Sequence, residues 1–169
     1  MRSMELWSRP MLLLALAAAP AFAQNPQAPC CNSVDFQGFG AEGVSIQLLE
    51  VRRTGPGDVT ATWQYQNRSQ TAQSLTKGGA GPAWAAYRLS WDAELVDMAS
   101  RTRFRVAHDT KTRTPVAAKH EPGKGQAISL AAGKTLKTWA KFLVPAQVTK
   151  VTVTLPGASQ PWENVAITN

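Results

Sequence analysis

Ten residues in the first half of the chain, "DVTATWQYQN", limit its fold more than any other feature. Val59, Ala61, Trp63 and Tyr65 alternate with Thr60, Thr62, Gln64 and Gln66. A strand satisfies this period of two by sending successive side chains to opposite faces, whereas a helix repeats every 3.6 residues. The pattern predicts a strand buried on one face and wet on the other. A second run, "AYRLSWDAEL", sets Tyr87, Leu89, Trp91, Ala93 and Leu95 against Arg88, Ser90, Asp92 and Glu94 in the same way.

"VSIQLLEV" from Val44 predicts an earlier strand, and "RFRVAH" a partner for the second run across the polar turn "DMASRT". "QAISL", "LKTWAKFLV", "KVTVTL" and "ENVAIT" bring the count to about seven or eight. Helical periodicity is scarce, and glycine and proline punctuate the gaps. The expected fold is therefore all-β, an antiparallel sandwich. "SLTKGGAGPAW" and "HDTKTRTPVAAKHEPGKGQ" read as the longest loops.

The chain opens "MRSMELWSRPMLLLALAAAPAFAQ", in which Arg2 and Arg9 precede an apolar run that closes on Ala21-Phe22-Ala23. This is the pattern of a secretory signal over residues 1–23, cleaved before Gln24. The run falls short of the roughly 20 residues that a membrane span needs, and no later segment comes closer. The expected product is exported, periplasmic or extracellular, with no transmembrane segment. Cys30 and Cys31 lie beyond "QNPQAP" rather than directly after the apolar run, which argues against lipid anchoring.

Residues 24–42, rich in Gln, Asn, Pro, Gly and Ala, read as a flexible leader carrying the two cysteines, and residues 43–169 as one sandwich domain. Without Arg2, Arg9 and Glu5 the formal charge falls from +7 to +6. That excess favours anionic polymers or surfaces as partners. Aromatic interleaving of the nucleic-acid type is limited to Phe104, so no specific nucleic acid is expected.

In "TWAKFLVPAQVTKVTVTLP", together with the preceding Leu136 and Lys137, one face carries Leu136, Ala140, Phe142 and Val144, and the other Lys137, Trp139 and Lys141. Val151, Val153 and Leu155 then alternate with Lys150, Thr152 and Thr154. The lysines thus occupy the solvent side of two strands, where charge also discourages edge pairing. Pro145 sits in the connection, where a missing amide donor does no harm.

The stretch "WAKFLVPAQVTKVTVTLPGASQPWENVAI", with "ELVDMASRTRFRV" and "VTATWQYQN", resembles exported bacterial immunoglobulin-like domains, including those found ahead of an OmpA-type domain in some envelope proteins. The resemblance covers roughly Val44 to Ile167 and rests on structural motifs. It implies an immunoglobulin-like β-sandwich of the cell envelope, with "LVD" and "RTRFRV" forming a hairpin and "LAAGKTLKTWAKF" a turn into a late strand. It carries over no catalytic residue. The sequence ends at Asn169 without an OmpA-type segment, so cell-wall anchoring is not transferred.

The vicinal pair Cys30-Cys31 supplies the only two cysteines. An exported compartment favours oxidation, and the possibilities are a strained vicinal disulfide, a link between chains, a soft-metal site or free thiols. A metal would need supplementary ligands such as His108, His120 or Met98, but no ligand-spacing motif joins them, so no metal or cofactor is assigned. His108-Asp109 and His120-Glu121 invite an acid–base reading. Strand neighbours point to opposite faces, however, and no nucleophile motif accompanies them.

Arg101, Arg103 and Arg105 share a face at period two and form the densest basic segment with Lys111 and Arg113. Trp63 and Trp91 fall on apolar faces and are expected in the core. Trp139 falls on the lysine face and is a candidate partner contact. The sequence thus favours a non-enzymatic binding or structural module of the envelope, contacting an envelope protein or anionic polymer through Arg101, Arg103, Arg105 and Trp139. The alternative is a soft-metal or thiol-redox module built on Cys30 and Cys31.

Overall fold

The computed structural model describes residues 31–78, 82–123 and 127–169. The chain folds as an antiparallel β-sandwich. One sheet has the order β1-β2-β3-β8, with β1 Ser33–Asp35, β2 Val44–Gly55, β3 Asp58–Asn67 and β8 Thr135–Leu143. The second has the order β10-β9-β5-β6, with β5 Glu94–Asp97, β6 Thr102–Arg105, β9 Lys150–Thr154 and β10 Trp162–Ala166. A small ladder joins β4 (Gln73–Ser74) to β7 (Ser129–Leu130), and one helical turn, α1, spans Pro82–Ala85.

The alternation that predicted β3 is realised residue by residue. Val59, Ala61, Trp63 and Tyr65 are fully buried and face the second sheet. Their partners on β8 are Phe142, Ala140, Thr138 and Leu136, so the opposite face of β8 presents Lys137, Trp139 and Lys141, as expected. Ile46, Leu48 and Val51 of β2 join them from one side, and Leu95, Val151 and Val153 close the core from the second sheet. Burying each such side chain contributes about 1.5–3 kcal/mol.

Each segment expected to be a strand contains one, with one correction. In "AYRLSWDAEL" only Glu94 and Leu95, the start of β5, are strand. The residues before it form successive tight turns, with Tyr87 N–H donating to Trp84 C=O, Ser90 and Trp91 N–H to Tyr87 C=O, and Ala93 N–H to Ser90 C=O. Tyr87 and Leu89 are buried as the alternation required, but by folding under the sheets rather than by joining one.

The stretch 24–42, expected to be a leader without regular structure, enters the fold at Ser33. β1 pairs with β2 through Val34↔Ile46, and Val34 and Phe36 are buried. The Phe36 ring meets Tyr65 edge-on at 5.8 Å, a favoured aromatic geometry. Trp162 Nε1–H donates to Asn32 C=O at 2.8 Å, tying β10 to this segment. The loop after β6 is likewise incorporated: Lys141 N–H donates to Val116 C=O and Ala118 N–H to Trp139 C=O, covering the outer edge of β8.

Candidate binding cleft

The turns that replace the expected strand help to build a concave surface. Pro82 begins α1, a position where its fixed φ and missing N–H suit a helix start. Trp84, Arg88 and Trp91 follow one another through these turns at i, i+4 and i+7. Ala85 and Leu89 point inward and are buried. The Trp84 and Trp91 rings lie 5.8 Å apart at 50°, and His108 approaches Trp84 at 6.4 Å.

Two hollows meet at Trp91 and Asp92, which line both. One, of about 430 Å³, runs past Phe36, Phe39, Lys77 and Arg88. The other, of about 530 Å³, runs past Trp84, Glu94, Arg105 and His108. Trp91 is therefore a half-buried cleft wall, not the core residue its alternation suggested. Its Nε1–H donates to Asp92 Oδ2 at 2.6 Å, which fixes the ring and leaves Oδ1 as an acceptor.

The cations around the cleft are not equivalent. Arg103 and Arg105 both approach Glu94, at 3.6 and 3.5 Å. Arg88 has no carboxylate within salt-bridge distance among the described residues, and its buried Nε–H has no hydrogen-bond partner. An unpartnered buried guanidinium N–H is costly.

The proposed contact residues do not form one patch. Arg103 and Arg105 stand on the exposed face of β6, opposite Val96 and Glu94 of β5. Arg101 is not on that strand: it lies in the turn with φ 54°, so three arginines on one strand face, as expected, become two. Trp139 is 39% exposed and lies on the outer face of the other sheet, opposite Thr62 of β3. Lys141 beside it is engaged by Asp58 at 3.0 Å. The arginines and Trp139 thus occupy opposite sides of the sandwich.

Cys30 lies outside the described residues, and Cys31 is half-buried against the core margin. Among the described residues no group of three or more His, Cys, Asp or Glu is placed to hold a metal, and Met98 stands exposed in the β5–β6 turn. Nor do the histidines pair with their neighbouring carboxylates. The Asp109 carboxylate accepts the Thr112 and Lys111 backbone N–H groups and the Thr112 hydroxyl, which hold its pKa below the ordinary value. His120 is half-buried, and that burial lowers its pKa.

Sequence reasoning missed Arg88, Asp92 and the contact between Trp84 and Trp91. The spacing Trp84-x3-Arg88-x2-Trp91 was the available signal, masked by the coincident alternation. Comparison with family models, curated proteins and solved structures gives no match. Among the described residues no helix is long and apolar enough to cross a membrane.

Proposed function

We propose that this chain is an exported, non-enzymatic binding module of the bacterial cell envelope, built on an immunoglobulin-like sandwich and acting by contact with an envelope protein or polymer. The observation that carries the reading is the Trp84–Trp91 pair held at the surface, with Arg88, unpaired with any carboxylate among the described residues, lining the hollow beside Trp91. Aromatic side chains and arginine are the residue types enriched where proteins make energetic contacts.

The immunoglobulin-like reading draws support from the strand order. Two four-stranded antiparallel sheets pack face to face, and in the second β9 lies between β10 and the earlier β5, so the two hairpins of that sheet are joined by strands far apart in the chain, as sandwich domains of this class allow. A parallel bridge from Arg52 to Thr168 brings the end of the chain against β2. The signal-like residues 1–23 support export.

The test has two parts. Expression of the full chain in a Gram-negative host should release a product whose mass begins at Gln24. That product should cosediment saturably with isolated envelopes, and less so after Trp84→Ala. Retention in the cytoplasm, or absence of saturable cosedimentation, rejects the reading.

A further inference from the structure

The cleft can be assigned a ligand chemistry. The assignment rests on the binding-module reading and deepens it. We propose that the two hollows flanking Trp91 hold consecutive residues of an acidic glycan, with sugar rings stacked on Trp84 and Trp91 and a sugar carboxylate held by Arg88.

Each requirement of such a ligand meets a group already in place. An aromatic face is negative, and the C–H-bearing face of a pyranose ring is its complement. Trp84 is 39% exposed, and its 50° tilt to Trp91 offers two platforms at an angle, as successive rings of a twisted chain require. Sugar hydroxyls need acceptors as well as donors. Asp92 provides an acceptor oxygen beside the platforms, because its other oxygen is occupied by Trp91 Nε1–H.

The charge that distinguishes an acidic chain from a neutral one is met by Arg88. Its planar fork suits a carboxylate in bidentate geometry, it lines the hollow beside Trp91, and no carboxylate among the described residues engages it. Lys77 lines the same hollow and adds a second cation. Arg105, across Trp91, shares Glu94 with Arg103, whereas Arg88 and Lys77 line one hollow together with no carboxylate paired to either among the described residues, so the anchor is placed on the Arg88 side.

The alternatives fit less well. Nucleic acid would need a track of several free cations along a backbone, whereas this cleft offers two. An extended peptide would add to a sheet edge through main-chain bonds, and the cleft is walled by side chains. An acidic peptide that uses Arg88 alone remains a distinct outcome of the test.

The test is isothermal titration of the purified exported protein with hexamers of galacturonate, mannuronate and hyaluronan, with maltohexaose and hexaglutamate for comparison. At least one acidic hexasaccharide should bind saturably and more tightly than maltohexaose. Trp84→Ala and Trp91→Ala should each weaken it about tenfold, the loss of one ring contact. Arg88→Gln should weaken the acidic sugar by about as much and leave any response to maltohexaose unchanged. Trp139→Ala, on the opposite sheet, should change nothing. Should Trp91→Ala fail to fold, Trp84→Ala and Arg88→Gln decide the matter, because both side chains reach solvent.

Binding of hexaglutamate as tight as the best acidic sugar, indifferent to Trp84→Ala, would overturn the assignment in favour of a simple anion site. No saturable response to any acidic hexasaccharide would also overturn it. Saturable envelope cosedimentation in the same preparation would then leave the binding-module reading standing without the glycan.

Discussion

Gly157→Ala is the sharpest test of how the amino-terminal segment docks on the sandwich. Gly157 has φ 76°, where an alanine costs about 1–2 kcal/mol because its Cβ crowds the following carbonyl. A Cβ there would also overlap the edge of the Phe36 ring. The ring is poorly placed to retreat: it is 5% exposed, leans on Tyr65, and is backed by Gly38, where an added Cβ would lie 2.7 Å from its Cζ. Overpacking of this kind adds about 1–3 kcal/mol, against which the stiffer unfolded chain returns about 0.4–1 kcal/mol. The net expectation is a loss of about 2–4 kcal/mol, or roughly 1–2 M in urea midpoint at a slope near 2 kcal/mol/M.

A double-mutant cycle isolates the clash. Phe36→Ala alone should cost about 3–5 kcal/mol. Adding Gly157→Ala to it should then cost only the backbone part, so the two changes together should fall short of their sum by about 1–3 kcal/mol. Equal cost of Gly157→Ala in both backgrounds, or a cost below about 0.5 kcal/mol in the parent, would refute the wedge between the two glycines.

Three further outcomes are expected. Asn67 is buried, its Nδ2 donating to Thr71 and Leu130 carbonyls at 2.8 Å each and its Oδ1 accepting from Ser69; Asn67→Asp sets acceptor against acceptor and should cost at least about 3 kcal/mol by urea denaturation. Thr138 is fully buried with an unpartnered hydroxyl, so Thr138→Val should stabilise by about 1 kcal/mol; a destabilised variant would show that the hydroxyl is satisfied. Because the folded pKa of His120 lies below its ordinary 6.5, only the unfolded chain takes up a proton as pH first drops below that value. Urea midpoints should therefore fall between pH 7.5 and 5.5, and His120→Gln should flatten the change; Asp97 and Asp109, both lowered from 3.8, act below that window.

The parts of this fold legible in sequence are those where local alternation and tertiary burial agree. β3 and β8 read correctly because each keeps one face against the opposite sheet throughout its length. The β5–β6 hairpin read correctly because a polar turn separates two short strands. Residues 84–93 did not, since tight turns packed beneath a sheet can bury alternate side chains as a strand does, and the backbone bonds that separate the two cases lie within those turns rather than in a ladder. β1 was hidden for another reason: its three residues have little pattern of their own, and docking of Val34 and Phe36 holds them. Arg101 was misplaced by its left-handed turn conformation, which breaks the period-two register that Arg103 and Arg105 keep.

Edge protection accounts for the basic hairpin without a ligand and separates it from the cleft. The outer edge of β8 is covered by residues 106–118. β1 is bordered by the 157–159 segment, through Gln37 N–H to Gly157 C=O and Ser159 N–H to Asp35 C=O, and β2 by the parallel bridge to Thr168. β6 ends its sheet order, and Arg103 and Arg105 stand on it, exposed and shared by Glu94. Charge on such a strand deters a second sheet from adding to it, a role that needs no partner. Arg88 differs in each respect: it lies outside any strand, borders a hollow, and has no carboxylate paired to it among the described residues. Arg103 and Arg105 share the single carboxylate of Glu94 on an exposed strand face, whereas Arg88 has no carboxylate on it among the described residues and stands in one hollow with Trp91. The contact chemistry of this protein is therefore expected at the tryptophan cleft rather than at its densest run of positive charge.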